Sequence, residues 1–425
     1  MNPIVILGGG HAGAQLCASL AEAGLGPQLH LVCAEPLLPY QRPPLSKAFL
    51  KNPDEGPQAH RAEAWYASAG ITTHLGDAAV HIDRAGQTVT LRSGTTLPYR
   101  HLVLATGARA RRLPGLPDGL ANVVALRDLA DASALRLHLQ AHRGQQADPT
   151  DTETAQPRPL TVLGGGFIGL EVAATARALG LPVQVIETQP RLLSRSVSAD
   201  LAEHILATHR AAGIAIRLGA RLDGVEHDGQ RLLALTVDGQ RLPVDRLLLG
   251  IGAEPDLRLA EQAGLTIDKG IVVDAAMRSS DPAILAIGDV ASFPVAPAWA
   301  PAGSRLRLES VQNANDQART AAATLQGLPA AYAALPWFWS EQGAMRLQMA
   351  GLMPAPGEAG VSRHRRPGAT PASFSILHYR GEHLVCVESV NAPMDHMLSR
   401  KLLEAGKHPA PALACDPAVA LKSLL

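Results

Sequence analysis

One glycine-rich pattern occurs twice in this chain, as GGGHAG at residues 8–13 and GGGFIG at 164–169. With 39 glycines in 425 residues, either copy alone would carry little weight. The flanks make the difference. The first copy follows the β-branched run PIVIL and precedes AQLCASLAEAG, whose Leu16, Leu20 and closing Gly24 give helical spacing and a glycine stop. An apolar strand, LHLVCAE, comes next and ends in Glu35, 22 residues beyond Gly13. The second copy repeats the order with LTVL, LEVAATARALG and PVQVIE, the last ending in Glu187, 18 residues beyond Gly169. Strand, glycine loop, helix, strand and acid together specify a dinucleotide grip. Gly8 and Gly164 allow the tight turn, Gly10 and Gly166 admit a pyrophosphate, and Gly13 and Gly169 let helix pack on strand. The helix N-terminus offers free N–H groups and a positive dipole end to phosphate, and Glu35 or Glu187 can accept from ribose hydroxyls. The pattern predicts two sites for two dinucleotides.

The chain is longer than one core comfortably fills, so two or three domains are expected. Lys plus Arg and Asp plus Glu both number 38, and this balance predicts neither a nucleic-acid nor a membrane-surface partner. No apolar run reaches the roughly 20 residues of a spanning helix. The first strand is predicted from Pro3, which leaves no room for a targeting segment and predicts a cytoplasmic protein. Cys17, Cys33, Cys386 and Cys415 form no CxxC or CxxxxC pair, so a disulfide framework is not expected. Neither HExxH spacing nor a cysteine cluster is present, and no metal site is predicted. Residues 143–158, polar and aperiodic, read as a surface loop.

Further strand-to-turn segments line the chain. HLVLATGARARRLPG leads an apolar strand into Ala105, Thr106 and Gly107, and RLLLGIGAEPD at 246–256 repeats the device around Gly252. AILAIGDVASF delivers Gly288 and Asp289 at a strand's carboxyl end, where open α/β sheets place ligands. These segments resemble the two-dinucleotide flavoproteins that include glutathione reductase. QRPPLSK at 41–47, GGGFIGLEVAATA at 164–176, ETQPRLLSR at 187–195, RLESVQNANDQA at 307–318 and PWFWSEQ at 336–342 narrow the likeness. Together they resemble the NADH-dependent ferredoxin and rubredoxin reductases that serve bacterial oxygenases, in particular the reductase components of aromatic-ring dioxygenases.

The resemblance implies an α/β fold with two Rossmann-like dinucleotide-binding domains of the glutathione-reductase type and a C-terminal α+β domain. Residues 1–110 and 246–327 would form a split FAD domain, 111–245 an NADH domain, and 328–425 the C-terminal domain. For FAD it implies Gly8, Gly10, Ala12, Gly13, Glu35, Arg42, Lys47, Val80, Ala105, Thr106, Gly107, Arg127, Asp289 and Val311. Ser310 is positioned to cap a helix starting at Val311, whose dipole would favour negative charge on a reduced flavin. For NADH it implies Gly164, Gly166, Ile168, Gly169, Glu187, Arg195 and Gly252. Glu187 would repel a 2′-phosphate, while Arg191 and Arg195 argue the other way. Lys47 is expected in the first turn of a helix opened by Pro43 and Pro44, an unfavourable place for a cation, and the resemblance pairs it with Glu171 beside the flavin.

The region that carries a CxxxxC pair in disulfide reductases here reads RPPLSKAFL, so a one-electron acceptor replaces a dithiol relay. The resemblance implies a two-iron, two-sulfur ferredoxin, of Rieske or plant/adrenodoxin type, and through it an oxygenase. Trp339, on one strand face with Trp337, would lie on the electron route, giving Lys47, Glu171 and Trp339 as the catalytic set. Arg363, Arg365 and Arg366 in SRHRRPG are candidates to steer an acidic ferredoxin. His11, within the first glycine loop, is expected to pack. Rubredoxin reduction, NADH oxidase activity and a switch resembling apoptosis-inducing factor are the rival readings.

Overall fold

The computed structural model describes residues 3–143, 159–295 and 303–425. The chain divides into two units, one made of Met1–Arg42, Pro57–Arg109 and Glu254–Phe338, the other of Pro43–Gly56, Ala110–Ala253 and Trp339–Leu425.

The first unit is organised by a five-stranded sheet with Ile4–Leu7 at its centre. Leu29–Cys33 and His101–Leu104 flank that strand in parallel, Ile4 lying opposite Leu29 on one side and His101 on the other. Thr72–Leu75 and Ile284–Ala286 complete the sheet at its edges, also in parallel. The central strand is buried throughout, as expected for a parallel strand covered on both faces. Helix His11–Glu22 buries Leu16, Cys17 and Leu20, an i, i+1, i+4 stripe. Helix Val311–Leu325 packs against it through small residues, including Ala314, Ala318, Ala321 and Ala322. A three-stranded antiparallel sheet, Ala79–Asp83, Thr88–Leu91 and Thr96–Pro98, accompanies the parallel one.

The second unit repeats this plan. Leu160–Leu163 is flanked in parallel by Val183–Ile186 and Arg246–Leu249, with Ala215–Arg217 and Val123–Ala125 at the edges. Its antiparallel sheet comprises Leu222–His227, Leu232–Val237 and Gln240–Pro243. To this the unit adds a five-stranded antiparallel sheet in the order Trp337–Gln342, Met345–Gly351, His383–Val390, Phe374–Arg380, Val361–Pro367. Helix Pro393–Glu404 packs on the strands Met345–Gly351 and His383–Val390.

Three boundaries differ from the sequence reading. Strand Arg246–Leu249 hydrogen-bonds to Leu160–Leu163 in the second unit's sheet, so the return to the first unit comes after it. Residues 43–56 belong to the second unit, where the Arg136 guanidinium donates to the Glu55 carbonyl at 2.8 Å and lies 3.9 Å from the Phe49 ring centroid. Residues 328–338, which include the first two residues of strand Trp337–Gln342, stay with the first unit, tied by the Tyr332 hydroxyl, which donates to Asn313 Oδ1 at 2.9 Å. Of the segment 143–158, Arg143 closes helix Leu129–Arg143, and the rest lies outside the described residues. Among the described residues no helix is long and apolar enough to cross a membrane.

Candidate functional site

The two glycine loops are built alike. A Cβ on Gly8, where φ is +126°, would sit 2.1 Å from the Ala105 carbonyl oxygen, and one on Gly164, φ +107°, 2.3 Å from that of Gly250. The two strand-to-turn segments, Ala105–Thr106–Gly107 and the one ending at Gly252, therefore lie against the two loops in matching positions. Thr106 Oγ1 secures the first by donating to the Asp256 carbonyl at 2.9 Å. A Cβ on Gly13 would meet the Gly8 oxygen at 2.0 Å, and one on Gly169 the Gly164 oxygen at 2.4 Å. No side chain fits at these four positions. Gly10 and Gly166 behave differently. Their φ values of −86° and −82° suit any residue. A Cβ on Gly10 would meet nothing within 4 Å, and one on Gly166 only the Gly250 oxygen at 3.7 Å. The space in front of each is open.

Both loop helices begin without a side-chain cap and without an acid in the first turn. The contrast is with helix Ala199–Ala211, capped by Ser198 and carrying Asp200 in its first turn. Free N–H groups at a helix start beside open space fit a phosphate. Ile168, 45% exposed, sits on the first turn of the second loop helix, while Ala12 is buried at the same place in the first.

The acids that close each motif are held in different ways. Glu35 pairs with Arg42 and accepts from the Tyr40 hydroxyl at 2.6 Å, and Arg42 also donates to that hydroxyl and lies 4.3 Å from the ring centroid. Glu187 accepts instead from backbone, Gly165 N at 2.6 Å and Gln189 N at 2.7 Å. Arg191 donates to the carbonyls of Ser194 and Val197, both at 2.7 Å, which ties its guanidinium to its own loop. Arg195 is exposed on the same loop.

Within the first unit the structure gathers three more of the expected residues. Gly288, φ +76°, is close enough to the first loop helix that its Cβ would be 3.3 Å from that of Ala12, and 3.8 Å from that of Ala314. Asp289 and the start of helix Val311–Leu325 are thereby brought to the first glycine loop. Ser310 caps that helix as expected, accepting from Asn313 N at 3.1 Å. Sequence reasoning missed Gln317, fully buried, whose Oε1 accepts from Gly288 N at 2.7 Å and whose Nε2 has no protein acceptor. Val80 lies 45% exposed on strand Ala79–Asp83. Arg127 is exposed and belongs to the second unit, before helix Leu129–Arg143. His11 packs edge-on to His60, ring centroids 4.6 Å apart.

Lys47 is not inside a helix opened by the prolines. Pro43–Ser46 forms a single 3-10 turn, and Lys47 precedes the short helix Ala48–Lys51. What favours the cation there is the Glu171 carboxylate at 2.6 Å, with the Pro43 carbonyl at 3.2 Å. Glu171 is 4% exposed on the second loop helix and takes two further donors, Ser46 Oγ at 2.5 Å and Ser340 Oγ at 2.7 Å. A buried carboxylate is tolerated only with such a full set of partners. Trp339 is half-buried beside Ser340. The strand's alternation puts Ser340 and Gln342 on the buried face and Trp339 on the other, with exposed Glu341.

The arginine segment is a strand, Val361–Pro367, rather than a loop. Arg366 is buried, donating to the carbonyls of Ala414, Asp416 and Val419 at 3.0, 2.6 and 3.0 Å, so it pins the C-terminal tail and offers no docking charge. Arg363 and Arg365 remain exposed, Arg365 over the Phe374 ring at 3.9 Å. The four cysteines are free thiols. Burial pushes the Cys17 thiol up, and the Cys33 thiol to about 12.

Comparison with known proteins agrees with this geometry. Residues 2–318 match the family described as pyridine nucleotide-disulphide oxidoreductase, and residues 337–425 match the reductase C-terminal family. Rhodocoxin reductase of Rhodococcus erythropolis is 40% identical over 422 residues, covering 99% of this chain and 93% of the relative. The ferredoxin–NAD(+) reductase component of the anthranilate 1,2-dioxygenase system of Burkholderia cepacia is 38% identical over 430 residues, covering 100% and 99%. The crystal structure of the covalent putidaredoxin reductase–putidaredoxin complex superposes with a TM-score of 0.88 at 34% identity, covering 100% of this chain and 98% of that one. With its paired nucleotide grips and its match over nearly all of its length, the chain belongs to the pyridine nucleotide-disulphide oxidoreductase family, among the FAD-dependent ferredoxin–NAD reductases.

Proposed function

We propose that the chain passes electrons from NADH through FAD to a two-iron, two-sulfur ferredoxin that feeds an oxygenase. FAD, when bound, supplies the redox chemistry, taking hydride as an electron pair and releasing electrons singly. The chain's residues hold, orient and neutralise. In the first unit Gly8 and Gly13 shape the loop, and Gly10 leaves room for the pyrophosphate against the free N–H groups of helix His11–Glu22. Glu35, oriented by Arg42 and Tyr40, is assigned to the adenosine ribose. Val80, Ala105, Thr106 and Gly107 are assigned to the rest of the adenosine and pyrophosphate. Asp289 and the start of helix Val311–Leu325 are assigned to the ribitol and the ring, with Gln317 Nε2 as an added donor.

In the second unit Gly164, Gly166, Ile168, Gly169 and Gly252 are assigned to the NADH backbone, Glu187 and Arg195 to its adenosine ribose. Lys47, held by Glu171, is assigned to orient the hydride-transfer face, and Trp339 to the electron exit. The single observation that carries this reading is the contrast between Gly8 and Gly13, which the protein itself requires, and Gly10, an N-cap with open space in front of it that a pyrophosphate would fill, repeated at Gly164, Gly169 and Gly166. Free thiols at all four cysteines accord with a cytoplasmic site of action. Cytochrome c reduction driven by NADH, measured with and without an added two-iron ferredoxin, tests the proposal. Strong ferredoxin dependence is expected; rapid oxygen consumption with no ferredoxin effect, or a preference for rubredoxin, contradicts it.

A further inference from the structure

We infer that Ser340, Gln342 and His209 are positioning residues for the Lys47–Glu171 pair, acting through one polarised, buried hydrogen-bond chain. The inference rests on the proposed role of that pair in hydride transfer. His209 Nε2 lies 2.8 Å from Gln342 Oε1, Gln342 Nε2 donates to Ser340 Oγ at 3.3 Å, and Ser340 Oγ donates to Glu171 Oε1 at 2.7 Å. Lys47 Nζ and Ser46 Oγ take the other carboxylate oxygen. His209 and Gln342 are each 2% exposed, Ser340 is 0% and Glu171 4%, so water does not compete for these links.

The carboxylate fixes the direction of the chain. A carboxylate only accepts, so Ser340 must spend its single hydrogen on Glu171, and its oxygen is left to accept from Gln342. That turns the amide so that its oxygen faces His209, which must then donate through Nε2. Burial lowers the readiness of His209 to take a proton, and a neutral ring donating at Nε2 leaves Nδ1 as the acceptor nitrogen. Every donor dipole therefore points toward Glu171, and each link strengthens the next. An amide neither gains nor loses a proton near neutral pH, so Gln342 conducts no proton. The chain holds the carboxylate, and through it the ammonium, in one place.

The same groups fix the exit strand. Ser340 and Gln342 stand two apart on the buried face of Trp337–Gln342, so their bonds to Glu171 and His209 set the strand's rotation. Trp339, on the opposite face, takes its direction from that rotation. One set of bonds thus ties the Lys47 ammonium to the tryptophan assigned to electron exit.

Nitrogen NMR of histidine-labelled, FAD-loaded protein tests the chain without relying on turnover. At pH 7 His209 is expected as the neutral Nε2–H tautomer, and its ring shifts are expected to move in Ser340→Ala and in Glu171→Gln, although neither residue touches it. An Nδ1–H tautomer in the wild type, or ring shifts unmoved in both variants, overturns the chain. In stopped-flow reduction by NADH, Ser340→Ala is expected to slow flavin reduction roughly tenfold, the order expected for one hydrogen bond to a charged group, with half-saturating NADH unchanged. His209→Gln, which keeps a donor, should reduce close to the wild-type rate, while His209→Leu should be slowed; equal rates in the two contradict the inference. Lys47→Met reduced at the wild-type rate overturns the reading of the pair itself, separately from the NMR result.

Discussion

The two nucleotide grips share their glycine geometry but not their treatment of the terminal acid. In the first unit Glu35 is matched by a cation, Arg42, and by the Tyr40 hydroxyl. In the second, Glu187 accepts from two backbone N–H groups and, at 3.5 Å, from the neutral Thr188 hydroxyl, and among the described residues no ion pair involves it. The first acid is thus locally balanced by a cation, whereas the second keeps its negative charge. On the proposed assignment of the first grip to FAD and the second to NADH, the neutralised acid suits a nucleotide that stays bound, and the charged acid suits discrimination among coenzymes. The second unit also carries the C-terminal sheet and helix, an addition the first lacks.

The glycines test this comparison most severely. Gly13→Ala and Gly169→Ala each drive a methyl into a backbone carbonyl, at 2.0 and 2.4 Å. Gly13→Ala should purify without bound flavin, read as loss of the visible flavin absorbance, while Gly169→Ala should keep the flavin and lose its reduction by NADH. Gly10→Ala and Gly166→Ala meet no such obstacle, so both should melt like the wild type without nucleotide yet bind FAD or NADH, respectively, more weakly. If Gly10→Ala and Gly13→Ala lost stability equally in the absence of ligand, the distinction between protein-required and ligand-required glycines would fail.

Acid should find the added layer of the second unit. His396, in helix Pro393–Glu404, has its pKa lowered from 6.5 to about 4 by burial, helped by nearby Arg400 and Arg346. The folded protein then binds fewer protons than the unfolded chain between those values, so the contribution is intact above pH 6.5 and is lost as pH falls toward about 4. At most about 3 kcal/mol is involved, at ~1.4 kcal/mol per pKa unit. Urea midpoints taken across this range should fall less steeply in His396→Leu than in the wild type. Parallel slopes would remove His396 from the account. Burial also lowers His30, His60, His74 and His101 of the first unit, giving the same sign there.

The smallest effect concerns coenzyme choice. Glu187→Gln removes the uncompensated charge and should narrow the preference for NADH over NADPH by about tenfold in kcat/KM, equivalent to ~1.4 kcal/mol. Glu35→Gln in the first unit should leave that ratio unchanged. A ratio that moved with Glu35 and not with Glu187 would reverse the assignment of the two grips.

Much of this was legible because the informative residues are close in sequence. Each glycine loop, its strands and its acid fall within a few dozen residues, and the Ser310 cap is set by the residues that follow it. The reading failed where pairing is distant. Ser340 meets Glu171 across 169 residues and Ser46 meets it across 125, separations no local period records. Strand Arg246–Leu249 looked like the start of the returning FAD segment because its sequence resembles His101–Leu104, and only pairing with Leu160–Leu163 assigns it to the second unit. Arg366 reads as a surface charge in a basic run, but alternation on a strand turns it inward, to the carbonyls of the tail.

The central claim is that two nucleotide grips in one chain let NADH reduce a bound flavin. Anaerobic titration of the FAD-loaded protein with NADH, followed by flavin absorbance, tests it most directly. The account predicts bleaching complete at about one equivalent of NADH, since hydride carries the two electrons a flavin accepts. Flavin colour that persists in excess NADH without oxygen would contradict it.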